Sequence, residues 1–306
     1  MKPQFPNEAS GAGEFERQED EFRAWLPAPA QGGRYHLYVS YACPWANRTM
    51  IVRKLKKLEH AVSMTVVDPI RDERGWAFRP GPGQDDSDPV NGFTFLREAY
   101  AATDANFNGR VTVPVLWDKQ ERRIVNNSED DICGMFNSAF PDAAVEPDLF
   151  PSDLEDEQKR LSAFIYEKVN NGVYRAGFAT RQRAYERACL DLFAALDELE
   201  KRLSSSRYLF GDRIVETDWR LFCTLIRFDA VYHGHFKCNI RRIVDYPNLN
   251  GYLMDLYQHP GVAELVNFDH IKRHYYMTHD EINPTRIVPV GPELNLLKPH
   301  GREQRP

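Results

Sequence analysis

The sequence predicts an α/β domain followed by an all-helical domain. A strand–helix–strand pattern occupies residues 35–67. A proline-interrupted strand, a short polar turn and a further strand follow at 112–126. Beyond residue 151 the apolar residues recur at helical spacing. At 306 residues the chain suits about two domains.

In chain order, residues 1–33 are polar and rich in Gly and Pro, which predicts an extended N-terminal arm. Tyr35 to Ser40 reads as a strand. Ala46 to Leu58 reads as a helix, with Met50, Ile51, Leu55 and Leu58 on one face. Val62 to Val67 closes a β-α-β unit, so the two strands are expected to be parallel. Residues 69–109 break the pattern with turn-forming runs such as Arg79-Pro80-Gly81-Pro82-Gly83. An irregular insert this long is more often functional than idle. Trp76 within it is either a local anchor or a wall of a binding site. Thr112 to Trp117 is a strand containing Pro114, which donates nothing to a ladder and belongs at an edge, bulge or strand start. Arg123 to Asn126 pairs with it across the turn 118–122. Ser128 then reads as the N-cap of a helix running to about Phe140, with Glu129, Asp130 and Asp131 complementing the dipole. The first domain is thus 34–140, and 141–151 is a linker. Helices are expected at 154–170, 180–203, 219–231, 249–258 and 261–275, in a domain spanning 152–279. Residues 280–306 carry five prolines and read as an extended tail.

The net charge of −6, with acids and bases interspersed, argues against nucleic acid as a partner. No apolar run reaches the roughly 18 residues of a membrane span, and Met1 to Gly13 lacks an apolar signal core. The five cysteines, at 43, 133, 189, 223 and 238, are scattered and odd in number. They suit a reducing cytoplasm better than a disulfide framework.

Cys43 is the prime candidate for chemistry. In Ala42-Cys43-Pro44-Trp45-Ala46 a strand gives way to a helix, which puts the sulfur at a helix N-terminus. The free N–H groups and positive dipole end there favour a thiolate. Pro44 suits the first turn, where a missing N–H costs nothing. The fourth position of the C-x-x-C pattern is Ala46, so an internal disulfide is excluded and an external thiol is implied. The competing reading is a buried structural cysteine. His233-x-His235-x-x-Cys238 offers three metal-type ligands, but no second pair has suitable spacing and no metal is expected. Neither a G-x-G-x-x-G phosphate loop nor a G-x-S-x-G elbow is present. Arg53, Lys54, Lys56 and Lys57 read as a solvated helix face.

A cysteine at a strand–helix junction, a Val-Pro at the head of a later strand and an acidic helix start beyond it resemble the thioredoxin-like domain of glutathione transferases, followed by their helical domain. The segments Cys43 to Ala46, Asn170 to Ala179, Arg227 to Cys238, His274 to Tyr276 and Ile282 to Pro289 resemble the glutathionyl-hydroquinone reductases, the xi class. The resemblance runs collinearly over about residues 30 to 302. It implies a cis Val113-Pro114 peptide whose backbone holds the thiol ligand, and Cys43 as nucleophile. It also implies that Trp76, Arg110, Val111, Thr112, Val113, Pro114, Ser128 and Glu129 bind that ligand. By the same resemblance Tyr174 exchanges a proton with the quinol ring, and Tyr232 and Tyr275 stabilise the thiolate by donating their O–H groups. Glutathione is the implied co-substrate, a quinol conjugate the substrate and a homodimer the assembly.

Where the family has Glu-Ser, this chain has Ser128-Glu129. The pair grips the γ-glutamyl end of glutathione at a helix N-terminus, so the swap leaves room for another low-molecular-weight thiol. A second departure puts Val215 at the usual Ser/Thr cap of a later helix, leaving Asp218 to favour that N-terminus and Thr217 to cap it further on. Two rival functions stand beside this one, of which the first shares Cys43 and the second is opposed by it. One is a general cysteine-type thiol transferase or dehydroascorbate reductase of omega character. The other is a non-catalytic interaction module.

Overall fold

The computed structural model describes residues 8, 10–141, 143 and 146–305. The parts of the expected arm and linker at residues 1–7, 9, 142, 144 and 145 lie outside them. The chain divides into two compact units. One holds Gln18–Pro147 with Leu265–Thr278, the other Asp148–Glu264 with residues 10–17 and the segment from His279 onward.

In the first unit, strands β1 (Tyr35–Val39), β2 (Val62–Val66), β3 (Val115–Asp118) and β4 (Arg123–Asn126) form one sheet of order β2-β1-β3-β4. β1 pairs in parallel with β2, as the crossover helix α1 (Pro44–Leu55) requires, and antiparallel with β3. Every residue of β1 is buried, which is why Tyr35-His36-Leu37-Tyr38-Val39 lacks the alternation of a half-exposed strand. The ladder of β3 begins at Val115, one residue past Pro114, so the proline sits at the strand head. α3 (Glu129–Ser138) packs beside α1. The insert is not wholly irregular: α2 (Arg97–Thr103) lies inside it and packs on β4. The last helix, α9 (Phe268–Thr278), follows the helical segment in sequence but belongs to this first unit.

In the second unit the helices are α4 (Glu155–Ile165), α5 (Gly172–Gly177), α6 (Gln182–Arg202), α7 (Glu216–Arg227) and α8 (Pro247–Gln258). The expected helix at 154–170 is α4 continued by a π turn at Tyr166–Asn170, closed by Asn171 N–H donating to Tyr166 C=O at 2.8 Å. The expected helix at 219–231 starts earlier, at Glu216, and also ends in a π turn, Phe228–Tyr232, closed by His233 N–H to Phe228 C=O at 2.9 Å. Thr217 is therefore inside α7 rather than its cap, and its hydroxyl meets Ser162 at 2.7 Å. Asp218 caps instead, accepting the Val215 N–H at 2.9 Å and the Leu209 N–H at 3.0 Å. Among the described residues the tail beyond His279 contains no helix or strand. It is tethered by Arg302, whose buried guanidinium donates to the carbonyls of Leu203, Ser206, Arg207 and Asn248.

Candidate active site

β1 ends at Val39, and a tight turn (Cys43 N–H to Ser40 C=O, 3.2 Å) delivers Cys43 to the N-cap of α1 in an extended conformation. Its carbonyl starts the helix by accepting the Asn47 N–H at 2.9 Å. The side chain makes no cap hydrogen bond, and the first turn of α1 contains no acid. The positive end of this helix is thus uncompensated by its own residues, a setting that favours sulfur as thiolate. As a thiol, Cys43 donates to the Val113 carbonyl at 3.4 Å. The Val113-Pro114 peptide is cis, so the backbone that receives the sulfur is the one the sequence singled out. Among the described residues Cys43 is the one cysteine that is not buried. Burial pushes the thiols of Cys189 and Cys238 upward, which leaves them inert at neutral pH.

Trp76 is 3% exposed. Its ring stacks on His274 of α9 (centroids 5.1 Å, planes 14° apart), and the Arg71 guanidinium lies 4.9 Å from its centroid. Both readings of this residue meet here. The ring anchors the insert, yet its indole N–H is buried with no hydrogen-bond partner among the described residues. A buried donor of that kind calls for an acceptor that the described residues do not supply. α9 holds the insert at a second point, because His270 Nε2 and His274 Nδ1 reach the carbonyls of Pro82 and Pro69 at 2.7 and 2.6 Å. Tyr275 lies on the same helix, in the same unit as Cys43, and is 1% exposed.

Ser128 occupies the N-cap of α3, but its side chain makes no cap hydrogen bond, contrary to expectation. Asn126 takes over: its Oδ1 accepts the Ser128 N–H at 2.7 Å. Glu129 and Asp130 both pair with the buried Arg48 of α1, Glu129 at 3.1 Å. Asp131 pairs with Arg23. The acids in the first turn are thus engaged in ion pairs that pin α3, besides complementing its dipole. Of the segment preceding Pro114, Val111 is fully buried and Arg110 half-buried. Thr112 is held by Tyr100 of α2, whose hydroxyl donates to its carbonyl at 3.0 Å and accepts its N–H at 3.2 Å. Burial pushes the Tyr100 phenol up to about 12, so it remains a neutral donor at physiological pH.

Tyr174 and Tyr232 fall in the second unit, with ring centroids 6.0 Å apart. Tyr174 lies on α5, directly after the first π turn, and Tyr232 closes the second. Phe236 stacks on Tyr232 (5.5 Å, 17°) and meets Tyr174 edge-on at 5.5 Å. The close approach depends on Gly177, where an added Cβ would fall 2.2 Å from the Phe236 ring. Among the described residues the His-Gly-His segment belongs to no group of three or more metal-type ligands. His235 Nε2 lies 3.1 Å from His279 Nδ1, and the Cys238 sulfur faces the carbonyls of Val173 and Phe236.

Residues 42–139 match the glutathione S-transferase N-terminal domain family, and residues 182–253 match the C-terminal domain family. Glutathionyl-hydroquinone reductase PcpF of Sphingobium chlorophenolicum is 50% identical over 292 residues, covering 94% of this chain and 92% of that protein. Glutathionyl-hydroquinone reductase YqjG of Escherichia coli is 48% identical, covering 97% of this chain and 94% of that one. The glutathione-bound structure of YqjG superposes with a TM-score of 0.90 over 93% of this chain and 96% of that chain, at 47% identity. A xi-class transferase from Natrialba magadii superposes at 0.89, with 49% identity over 92% of this chain and 88% of that one. The chain belongs to the xi class of glutathione transferases. It is an enzyme of that superfamily, a thiol-dependent oxidoreductase.

In this xi-class chain several supporting residues escaped the sequence. Tyr100 was hidden because the helix carrying it lies in a Gly/Pro-rich insert. His274 entered only as part of a motif, while its structural position is against the face of Trp76. Phe15 and Arg17 of the arm carry no motif at all, yet both lie on Tyr174.

Proposed function

We propose that the protein reduces glutathionyl-hydroquinones to hydroquinones through a mixed disulfide on Cys43. The observation that carries this reading is the setting of Cys43: half-exposed, at an acid-free helix N-terminus, against the Val113 carbonyl, with Ala46 where a resolving cysteine would stand. The Cys43 thiolate attacks the sulfur of the conjugate. A sulfur–sulfur bond forms, the carbon–sulfur bond breaks, and its electron pair passes to the ring carbon. Tyr174 supplies the proton that converts that carbon to C–H. Tyr232 and Tyr275 stabilise the thiolate by O–H donation. A free thiol then attacks the mixed disulfide, releasing the oxidised thiol and restoring Cys43. The ring is reduced by two electrons and the two thiols are oxidised by two.

Glutathione fits as co-substrate. The Trp76 indole N–H offers an unmatched donor, the Val113 backbone sits beside the sulfur, and a relative's structure holds glutathione. One observation favours a second reading of the thiol. Glu129 is the first residue of α3, where a ligand carboxylate would dock, and a carboxylate there repels another. A thiol without that terminal carboxylate would escape the conflict. The free cysteines support a reducing cytoplasm. The family resemblance adds a homodimer through the helical domains to this reading.

The test uses Cys43→Ala and Tyr174→Phe, each checked by circular dichroism. Cys43→Ala should lose turnover on every substrate. Tyr174→Phe should lose roughly 100-fold or more on the quinol conjugate while keeping thiol exchange with a simple disulfide. Equal losses of Tyr174→Phe on both substrates would favour an omega-like thiol transferase.

A further inference from the structure

The N-terminal arm does more than trail from the first strand. Residues 10–17 form a loop on the second unit, closed by Gly13 N–H to Ser10 C=O at 2.8 Å and fixed by Thr180 N–H to Gly13 C=O at 3.1 Å. Glu14 adds an ion pair with Arg187 of α6 at 2.8 Å. Gly13 is required in this seat, because its φ is +80° and an added Cβ would fall 2.6 Å from the Arg181 side chain. The loop sets two side chains on Tyr174. Phe15 stacks on it at 6.2 Å, and the Arg17 guanidinium carbon lies 4.8 Å from its ring centroid. Arg17 is aimed by its own Nε, which donates to Asn171 Oδ1 at 2.9 Å, three residues before Tyr174.

We propose that Arg17 is a positioning residue that prepares Tyr174 to give up its proton. The assignment rests on the quinol-reduction reading above. When the carbon–sulfur bond breaks, the electron pair arriving at the ring carbon takes a proton from the Tyr174 hydroxyl, and the tyrosine is left as phenolate. A fixed cation over the ring stabilises that anion more than the neutral phenol, which lowers the cost of the transfer. The other polar groups around this ring are weaker candidates. Tyr232 is committed to the thiolate in the reading above, and His235 and His279 pack against the Phe236 ring, with burial holding His235 near 4 and hence uncharged. Attack of Cys43 on a disulfide expels a thiolate and protonates no ring carbon, so simple disulfide exchange should be indifferent to Arg17.

The experiment compares wild type, Arg17→Lys and Arg17→Gln on a glutathionyl-hydroquinone and on glutathione disulfide, with Tyr174→Phe as reference. Lysine keeps the charge, while glutamine keeps a hydrogen-bonding group and drops it. Arg17→Gln is expected to lower kcat on the quinol conjugate by roughly 10- to 100-fold, with KM and the rate of Cys43 adduct formation from glutathione disulfide within about 2-fold of wild type. Arg17→Lys should recover most of the loss. Wild-type quinol turnover in Arg17→Gln, equal losses on both substrates, or no recovery with lysine would each overturn the assignment. Full activity of Tyr174→Phe would instead sink the proton-donor reading, and the Arg17 assignment with it.

Discussion

At the scale of single residues, reactivity follows from the company each group keeps. Five cysteines share one chain, and only Cys43 combines partial exposure with a helix N-terminus free of acids. That much was legible, because a strand-to-helix transition and a proline at the first helical position leave a mark in sequence. The tyrosines were not legible in that way. Fourteen are spread along the chain, and only the family resemblance picked Tyr174, Tyr232 and Tyr275. Ser128-Glu129 shows a further limit: sequence assigned the cap to Ser128, while in space Asn126 receives its N–H and Arg48 gathers the neighbouring acids. Exchanging the pair, Ser128→Glu with Glu129→Ser, moves the carboxylate off the first helical residue. The expected result is a KM for glutathione lowered by about 10-fold, of the order of one removed like-charge contact, with kcat little changed. Steady-state kinetics against glutathione and against a thiol lacking the γ-glutamyl carboxylate would read it.

At the scale of elements, the β-α-β unit and the second strand pair followed from periodicity, since a buried parallel strand and an amphipathic helix have distinct patterns. The two π turns did not. One extra residue in a helix leaves the apolar spacing almost unchanged, yet here one such turn lies just before the helix that carries Tyr174 and the other contains Tyr232. The 69–109 insert concealed α2 for the opposite reason, because prolines and glycines around a seven-residue helix mask it. Gly177 ties the π-turn elements together by letting Phe236 press against α5. Gly177→Ala must displace that ring, and overpacking typically costs about 1–3 kcal/mol. The variant should unfold at lower urea concentration and lose quinol turnover more than disulfide exchange. Alkylation of Cys43 by iodoacetamide should keep its wild-type rate.

At the scale of the whole molecule, the order of segments in sequence is not their grouping in space. The helical period of residues 268–278 is as regular as that of the helices before it, yet α9 groups with the sheet and holds the insert through His270 and His274. Residues 10–17 cross the other way, to the helical unit. Periodicity reports which face of an element is apolar and says nothing of which partner covers it. Stability should show one pH signature of the buried core of the first unit. His36 in β1 is fully buried and desolvation lowers it to about 4. The unfolded chain takes up that proton near 6.5 and the folded chain does not. The His36 contribution is therefore complete above 6.5 and is lost as pH falls from 6.5 to 4, by up to about 3 kcal/mol. Urea titrations at pH 7 and 4.5 should show wild type losing its advantage over His36→Gln on acidification. An unchanged difference would mean that the imidazole titrates normally in the fold.

The central claim concerns the bond that forms on Cys43. One equivalent of glutathionyl-hydroquinone mixed with the reduced protein, with no free thiol present, allows a single turnover followed by intact mass and peptide mapping. The expected result is one glutathionyl group on Cys43 and one equivalent of released hydroquinone, with the adduct removed by added glutathione. Hydroquinone release without an adduct, or an adduct on another cysteine, would contradict the account.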